Sequence, residues 1–349
     1  MTNTDSIVRA FVKLGKELRA LNKKNSPHQV TGIYDEVIQQ ACIENKWFTP
    51  EFVKLALVNT GHSLTDIKLK KWIEPYNSKM QANSYPKTIG VVMAGNVPMV
   101  GFHDFISVLL SGNRFLGKLS SSDSKLIPFI ATRLVYFYPE VADSIKFTED
   151  KLTGFDAVIA TGSNNTSRYF DYYFGKYPHI IRKNRNGVAV LTGKETGEEL
   201  QRLGEDVFFY FGMGCRNISK IYVPQGYDFI PLLDAFEKYK FVINTNKYNN
   251  NYDYYRSIFL LNKVHHYDNG FVMITMNDKI ASAPSVLYFE EYDDISRLKT
   301  NLKDQMDLIQ CIVSQSGVID QTISFGNAQK PELWDYADGV DTMAFLLGL

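Results

Sequence analysis

The sequence is poor in cysteine, with only Cys42, Cys215 and Cys311 in 349 residues. They are far apart and odd in number. No CxxC occurs, and no Cys/His group has zinc-site spacing, so neither a disulfide framework nor a structural zinc is expected. An excess of one charge is also missing: Lys plus Arg and Asp plus Glu both number 38. That balance leaves no basic footprint for a nucleic acid. No run of about 20 apolar residues exists to span a bilayer. The opening "MTNTDSIVRAFVKLGKELRALNKKN" lacks the apolar stretch of a secretion signal, and its Val8, Phe11, Leu14 and Leu18 recur at helical spacing. A cytoplasmic location is therefore expected. The GxGxxG fingerprint is absent as well, which argues against an ordinary Rossmann dehydrogenase.

What is present fits a globular protein of one large α/β unit or two domains, on a scale of roughly 100–200 residues per domain. Hydrophobic residues make up 45% and charged residues 22%, an ordinary balance. Aromatics reach 13%. They either line an apolar tunnel or fill a large core.

Residues 1 to about 85 are helical in pattern, broken near Gly32 and Gly61. Strands and helices then alternate. "TIGVVMAG" (88–95) reads as a buried strand, followed by an apolar helix ending near Gly112. "RFLGKL" (114–119) is a second strand. The next helix has Leu126, Ile130, Leu134 and Phe137 on one stripe, with the serines before it as N-cap candidates. "FDAVIATGS" (155–163) and "NGVAVLTG" (186–193) read as further strands. This alternation implies right-handed βαβ units and a parallel sheet, whose ligands sit at the strands' carboxyl ends. Gly95-Asn96 and Thr161-Gly162-Ser163 supply small and polar residues at two such ends. The fold class expected is α/β.

Cys215 lies in "FFYFGMGCRNISKIYVP" (208–224), between two glycines and a strand. From the residues alone it is a small core filler, a metal ligand, a redox partner or a nucleophile. His103 and Asp104 are neighbours on a helix and point apart. They read as helix-surface or cofactor-cleft groups. The "DYADGVDT" run lacks calcium-loop spacing and reads as a structural turn. The stretch "NTNKYNNNYDYYRSIF" reads as an ordered surface region.

In order along the chain stand "GNVPMVGFHDFISVLLSGNRFLGKLSSSD", "ATGS", "GVAVLTGK" and "FGMGCRNISKIYVP". This order resembles the aldehyde dehydrogenase superfamily, with its "WNFP", "KPSE", "F-T-G-S", "ELGGK" and "GQxC" elements. The "GNVP…KLSSSD" run and the "DYADGVDTMAFL" ending are similar to the LuxC-like acyl-CoA reductases. The resemblance implies a Rossmann-like nucleotide-binding domain at 1–186, a catalytic domain at 187–320 and a segment 321–349 packing back at the interface. It makes Cys215 the nucleophile that takes an acyl group from CoA, and Asn96 a donor to the carbonyl oxygen.

The same resemblance sets Lys118 on the adenosine ribose. The family's neighbouring acid falls on Ser121, so Ser120 and Ser121 favour NADPH, with NADH the alternative. Thr161, Gly162 and Ser163 would face the cofactor. The general base of "ELGGK" falls on Val190, which implies that CoA rather than water resolves the thioester. The implied function is reduction of a long-chain acyl-CoA or acyl-protein thioester to the aldehyde. Its rivals are a CoA-acylating dehydrogenase of short aldehydes and a non-catalytic acyl-carrying scaffold. The implied partners are an acyl-CoA or acyl-protein donor, an acyltransferase or acyl-protein synthetase, and further copies of the chain.

Overall fold

The computed structural model describes residues 4–22, 28–82, 85–162, 164–315 and 317–349. They form two compact units. One is built from residues 1–183 and 332–349, the other from 184–331.

The first unit opens with helices α1 (Thr4–Ala20), α2 (His28–Glu44), α3 (Pro50–Ser63), α4 (Asp66–Ile73) and α5 (Asn77–Ala82). Phe11, Leu14 and Leu18 form the buried stripe of α1, as their spacing requires. Thr49 and Thr65 cap α3 and α4 by accepting backbone N–H bonds. The sheet then follows: β1 (Thr88–Val92), α6 (Phe102–Leu110), β2 (Arg114–Lys118), α7 (Leu126–Phe137), β3 (Ile145–Thr148), β4 (Ala157–Thr161), α8 (Asn164–Phe174) and β5 (His179–Arg182). Its order is β3-β2-β1-β4-β5, and every pair is parallel. The chain runs outwards from β1 in one direction and then from β4 in the other. The carboxyl ends of β1 and β4 therefore border the switch point where such sheets hold their ligands.

Residues 332–349 return to this unit. Trp72 donates its indole N–H to the Tyr336 hydroxyl at 2.8 Å, and Tyr76 donates to Asp341 at 2.7 Å. Asp341 also caps α13 (Thr342–Leu346). His103 and Asp104 are not surface groups. Nε2 of His103 lies 2.8 Å from the Leu333 carbonyl, and burial lowers its pKa. Asp104 is 3% exposed and takes a forked pair of hydrogen bonds from Arg182, at 2.5 and 2.8 Å. A third Arg182 N–H reaches Thr342 of α13 at 3.1 Å. The serines before α7 do not cap it. Lys125 stands at its N-cap without a side-chain bond, and the Asp123 carboxylate accepts from Leu126 N–H instead, at 3.3 Å.

The second unit contains β6 (Asn186–Val190), α9 (Gly197–Phe208), β7 (Ile218–Pro224), α10 (Ile230–Phe236), α11 (Asn246–Leu261), β8 (Tyr267–Asp268), β9 (Met273–Met276), β10 (Val286–Tyr292), α12 (Ile295–Asp304) and β11 (Ile309–Ser314). Its order is β11-β6-β7-β10-β9-β8, parallel except where β8 meets β9. Thr196 and Glu199 close a capping box on α9. The tyrosine- and asparagine-rich stretch is α11, which buries Tyr248, Tyr252 and Phe259.

Candidate active site

In the first unit, the turns after β1 and β2 touch. A side chain at Gly95 would meet Ser120 Oγ at 2.6 Å, so only glycine lets the two turns approach this closely. The Gly95 carbonyl accepts from the Asn45 amide at 2.9 Å. Asn96 follows it, exposed. Lys118 ends β2 and is half-buried, donating to the Glu149 carbonyl at 2.7 Å. An ammonium has three N–H groups, so two remain after that bond. Ser120 is half-buried and Ser121 exposed, while the Ser120 hydroxyl accepts from Ser122 N–H at 3.2 Å. Thr161 and Gly162 stand half-buried at the end of β4, and Ser163 lies outside the described residues.

This arrangement fits a dinucleotide. Two turns without bulky side chains meet beside the β1/β4 switch point, with a cation at the end of β2. The turn after β2 carries no solvent-facing carboxylate, because its acid, Asp123, is 6% exposed and burial pushes its carboxyl up to about 6. Exposed Glu149 and Asp150 do follow the adjacent β3.

In the second unit, Cys215 is exposed, whereas Cys42 is half-buried and Cys311 buried. Burial pushes the Cys42 thiol up to about 11, which keeps it out of thiolate chemistry at neutral pH. The approach to Cys215 is unusual backbone. Tyr210, Phe211 and Gly212 are all left-handed, with φ of 54°, 57° and 73°. For the first two this costs about 1–2 kcal/mol each. Phe211 stays in place because its ring is 2% exposed.

Asn217, 1% exposed, ties the turn together. Its amide oxygen accepts from Gly214 N–H at 2.8 Å. Its amide nitrogen donates to the carbonyls of Asp206 and Phe209 at 3.0 and 2.8 Å. Arg216 donates its Nε–H to the Ala328 carbonyl at 2.7 Å. The loop thus holds the Cys215 thiol out to solvent between fixed residues. Arg216 and Asn217 work here to shape the loop.

Asp206 is fully buried and accepts the N–H groups of Gly326 and Ala328 at 2.7 and 2.8 Å. Burial outweighs these donors and raises its carboxyl from 3.8 to about 7. The folded chain therefore holds its proton more tightly than the unfolded chain does. Stability contributed by the protonated form is complete below about pH 4 and lost as pH rises to about 7, on the order of 4 kcal/mol across that window. Asp123 acts in the same direction up to about pH 6. Denaturant titrations from pH 4 to 8 should show this decline in the parent chain, and a shallower one in Asp206→Asn.

Val190 does not occupy a base's position. It is fully buried in a cluster with Tyr222, Leu298 and Ile312. It ends β6 level with Tyr222, whereas the start of β7 is level with Gly187. At about 3.3 Å per residue this puts Val190 about 13 Å along the strand from Ile218, and Cys215 precedes Ile218 by three residues. The match of "VLTGK" to "ELGGK" is a likeness of letters, and Val190 carries no information on what resolves a thioester.

The family model described as Acyl-CoA reductase (LuxC) matches residues 65–228. No curated protein matches the chain by sequence. Among solved structures, aldehyde dehydrogenase 21 from Physcomitrella patens, in complex with succinate, is similar with a TM-score of 0.69 at 10% identity. The similarity covers 99% of this chain and 84% of that one. An acetylating aldehyde dehydrogenase from Geobacillus thermoglucosidasius gives 0.62 at 9% identity, over 95% and 86% of the two chains. An indole-3-acetaldehyde dehydrogenase in complex with NAD+ gives 0.59 at 11%, over 90% and 72%. Identities this low carry the fold alone. Among the described residues no helix is long and apolar enough to cross a membrane, and no group of His, Cys, Asp or Glu is placed to hold a metal ion. Over residues 65–228 the chain is similar to the LuxC acyl-CoA reductases, and its fold is similar to that of the aldehyde dehydrogenases.

Proposed function

We propose that the protein reduces an acyl-CoA, or an acyl group carried on a protein, to the aldehyde through an acyl thioester on Cys215. The observation that carries this reading is the exposure of Cys215, alone among the three cysteines, within the stretch that matches the acyl-CoA reductase model.

The Cys215 thiolate adds to the acyl carbonyl and the CoA thiolate leaves, so one thioester is exchanged for another. The amide of Asn96 is assigned to the carbonyl oxygen as charge builds there, a type of contact worth about 2.7–4 kcal/mol. A bound nicotinamide cofactor supplies the hydride. Cys215 then leaves as thiolate when the thiohemiacetal collapses to aldehyde. Lys118, Ser120, Ser121, Thr161, Gly162 and Ser163 are assigned to hold the cofactor, the first three favouring NADPH. Glu149 and Asp150 after β3 favour NADH instead, so the nucleotide is decided by experiment. Long acyl chains, a protein donor and self-association belong to the same reading.

The test uses radiolabelled acyl-CoAs of graded length. Label should stay on the denatured chain, be released by hydroxylamine, and be chased to aldehyde by NADPH more than by NADH. Label that neither nucleotide converts would instead mark an acyl-carrying scaffold. A preference for two- or three-carbon chains would favour the short-aldehyde enzyme.

A further inference from the structure

The two ligand-binding turns of the first unit are held from one place. Asn45 immediately follows α2, and its buried side chain (8% exposed) donates to the Gly95 carbonyl at 2.9 Å. Its amide oxygen is fixed in turn by Trp47 N–H, also at 2.9 Å. The preceding residue, Glu44, takes both the N–H and the hydroxyl of Ser124, at 2.9 and 2.6 Å. Charge-assisted bonds of this kind are short and about twice as strong as neutral ones. A third tie joins the turns themselves, at the close approach of Gly95 to the Ser120 side chain. The closed circuit is α2 to the β1 turn, the β1 turn to the β2 turn, and the β2 turn back to α2.

We infer that Glu44 and Asn45 are positioning residues: Asn45 sets the Gly95–Asn96 turn and Glu44 sets the Ser120–Ser124 turn. Both lie outside residues 65–228, so the helices before the matched stretch are part of the working site. The assignment rests on the function proposed above, and it separates the two turns by chemistry. Loosening Gly95 moves Asn96 and affects acyl transfer. Loosening Ser124 moves the serines beside Lys118 and affects the nucleotide.

Isosteric variants test this with little loss of packing. Asn45→Asp keeps the acceptor for Trp47 but places a carboxylate oxygen against the Gly95 carbonyl. It should slow acylation of Cys215 about tenfold, the effect of about 1.4 kcal/mol, with nucleotide affinity within about twofold. Glu44→Gln should weaken NADPH or NADH binding, read by nucleotide fluorescence, about tenfold, with acylation within about twofold. Ser124→Ala breaks the same contact from the other side and should reproduce part of that loss. Hydrogen exchange should quicken over residues 93–101 in Asn45→Asp and over 120–126 in Glu44→Gln. Folded variants whose exchange, acylation and nucleotide affinity all equal the parent's would overturn the inference, as would effects that do not split between the two variants. If the parent chain neither takes label nor binds nucleotide, the proposed function fails by itself. Exchange over the two turns then decides the clamp.

Discussion

Cys215→Ala should reduce the acyl label retained on the chain to background, a loss of about three orders of magnitude or more, and abolish aldehyde formation with either nucleotide. The substitution is well suited to the question because the thiol is exposed. Removing its sulfur opens no core cavity, and a change at such a position shifts stability by about 0.5 kcal/mol or less. Lost labelling in a folded chain therefore reports chemistry. Cys42→Ala is the matched control: that thiol is half-buried with a raised pKa, and its removal should leave labelling unchanged. Equal labelling of Cys215→Ala and the parent would sink the assignment of the nucleophile.

The largest stability effect should come from Asp104→Ala. Its carboxylate and the Arg182 guanidinium form a forked pair, their side chains 4% and 9% exposed, with Thr342 as a third member. Deleting the acid strands a buried cation, and losses of about 3–5 kcal/mol follow from breaking such pairs. Replacing both partners together, as Asp104→Leu with Arg182→Met, removes the uncompensated charge and should recover most of that loss. Chemical denaturation of the single and double variants measures both values. A single variant that loses less than about 1 kcal/mol would mean that solvent reaches the pair.

The strands nearest the site were legible because they are short runs of apolar residues closed by glycine or small polar residues. "TIGVV", "AVIAT" and "NGVAV" read as buried parallel strands and are β1, β4 and β6. Four others were not legible, among them the two-residue β8. β3 and β5 are four-residue edge strands with charged or polar members, and β11 is interrupted by Gln310 and opens on a register shift. At the site, the order of short motifs brought out Cys215 and the turn around Asn96. Asp104 escaped because a charge on a helix is usually solvated, and its partner lies 78 residues away. Glu44 and Asn45 escaped for the same reason: each works on a residue 50 or 80 positions further along, and no local pattern encodes that distance. The Val190 reading failed because three shared letters in five do not fix a strand's register.

The first unit is discontinuous, with residues 184–331 inserted between its parts. This has a consequence for synthesis on the ribosome. Domains usually fold in the order in which they emerge, and here that order is inverted. Every residue of the second unit is translated before the strip 332–349 that supplies Tyr336, Asp341 and Thr342 to the first. Until that strip appears, Trp72 lacks its hydroxyl acceptor and Arg182 lacks its buried bond to Thr342. The unit begun first is finished last, and a nascent chain stalled near residue 331 would carry a complete second unit beside a first unit still missing its final strap.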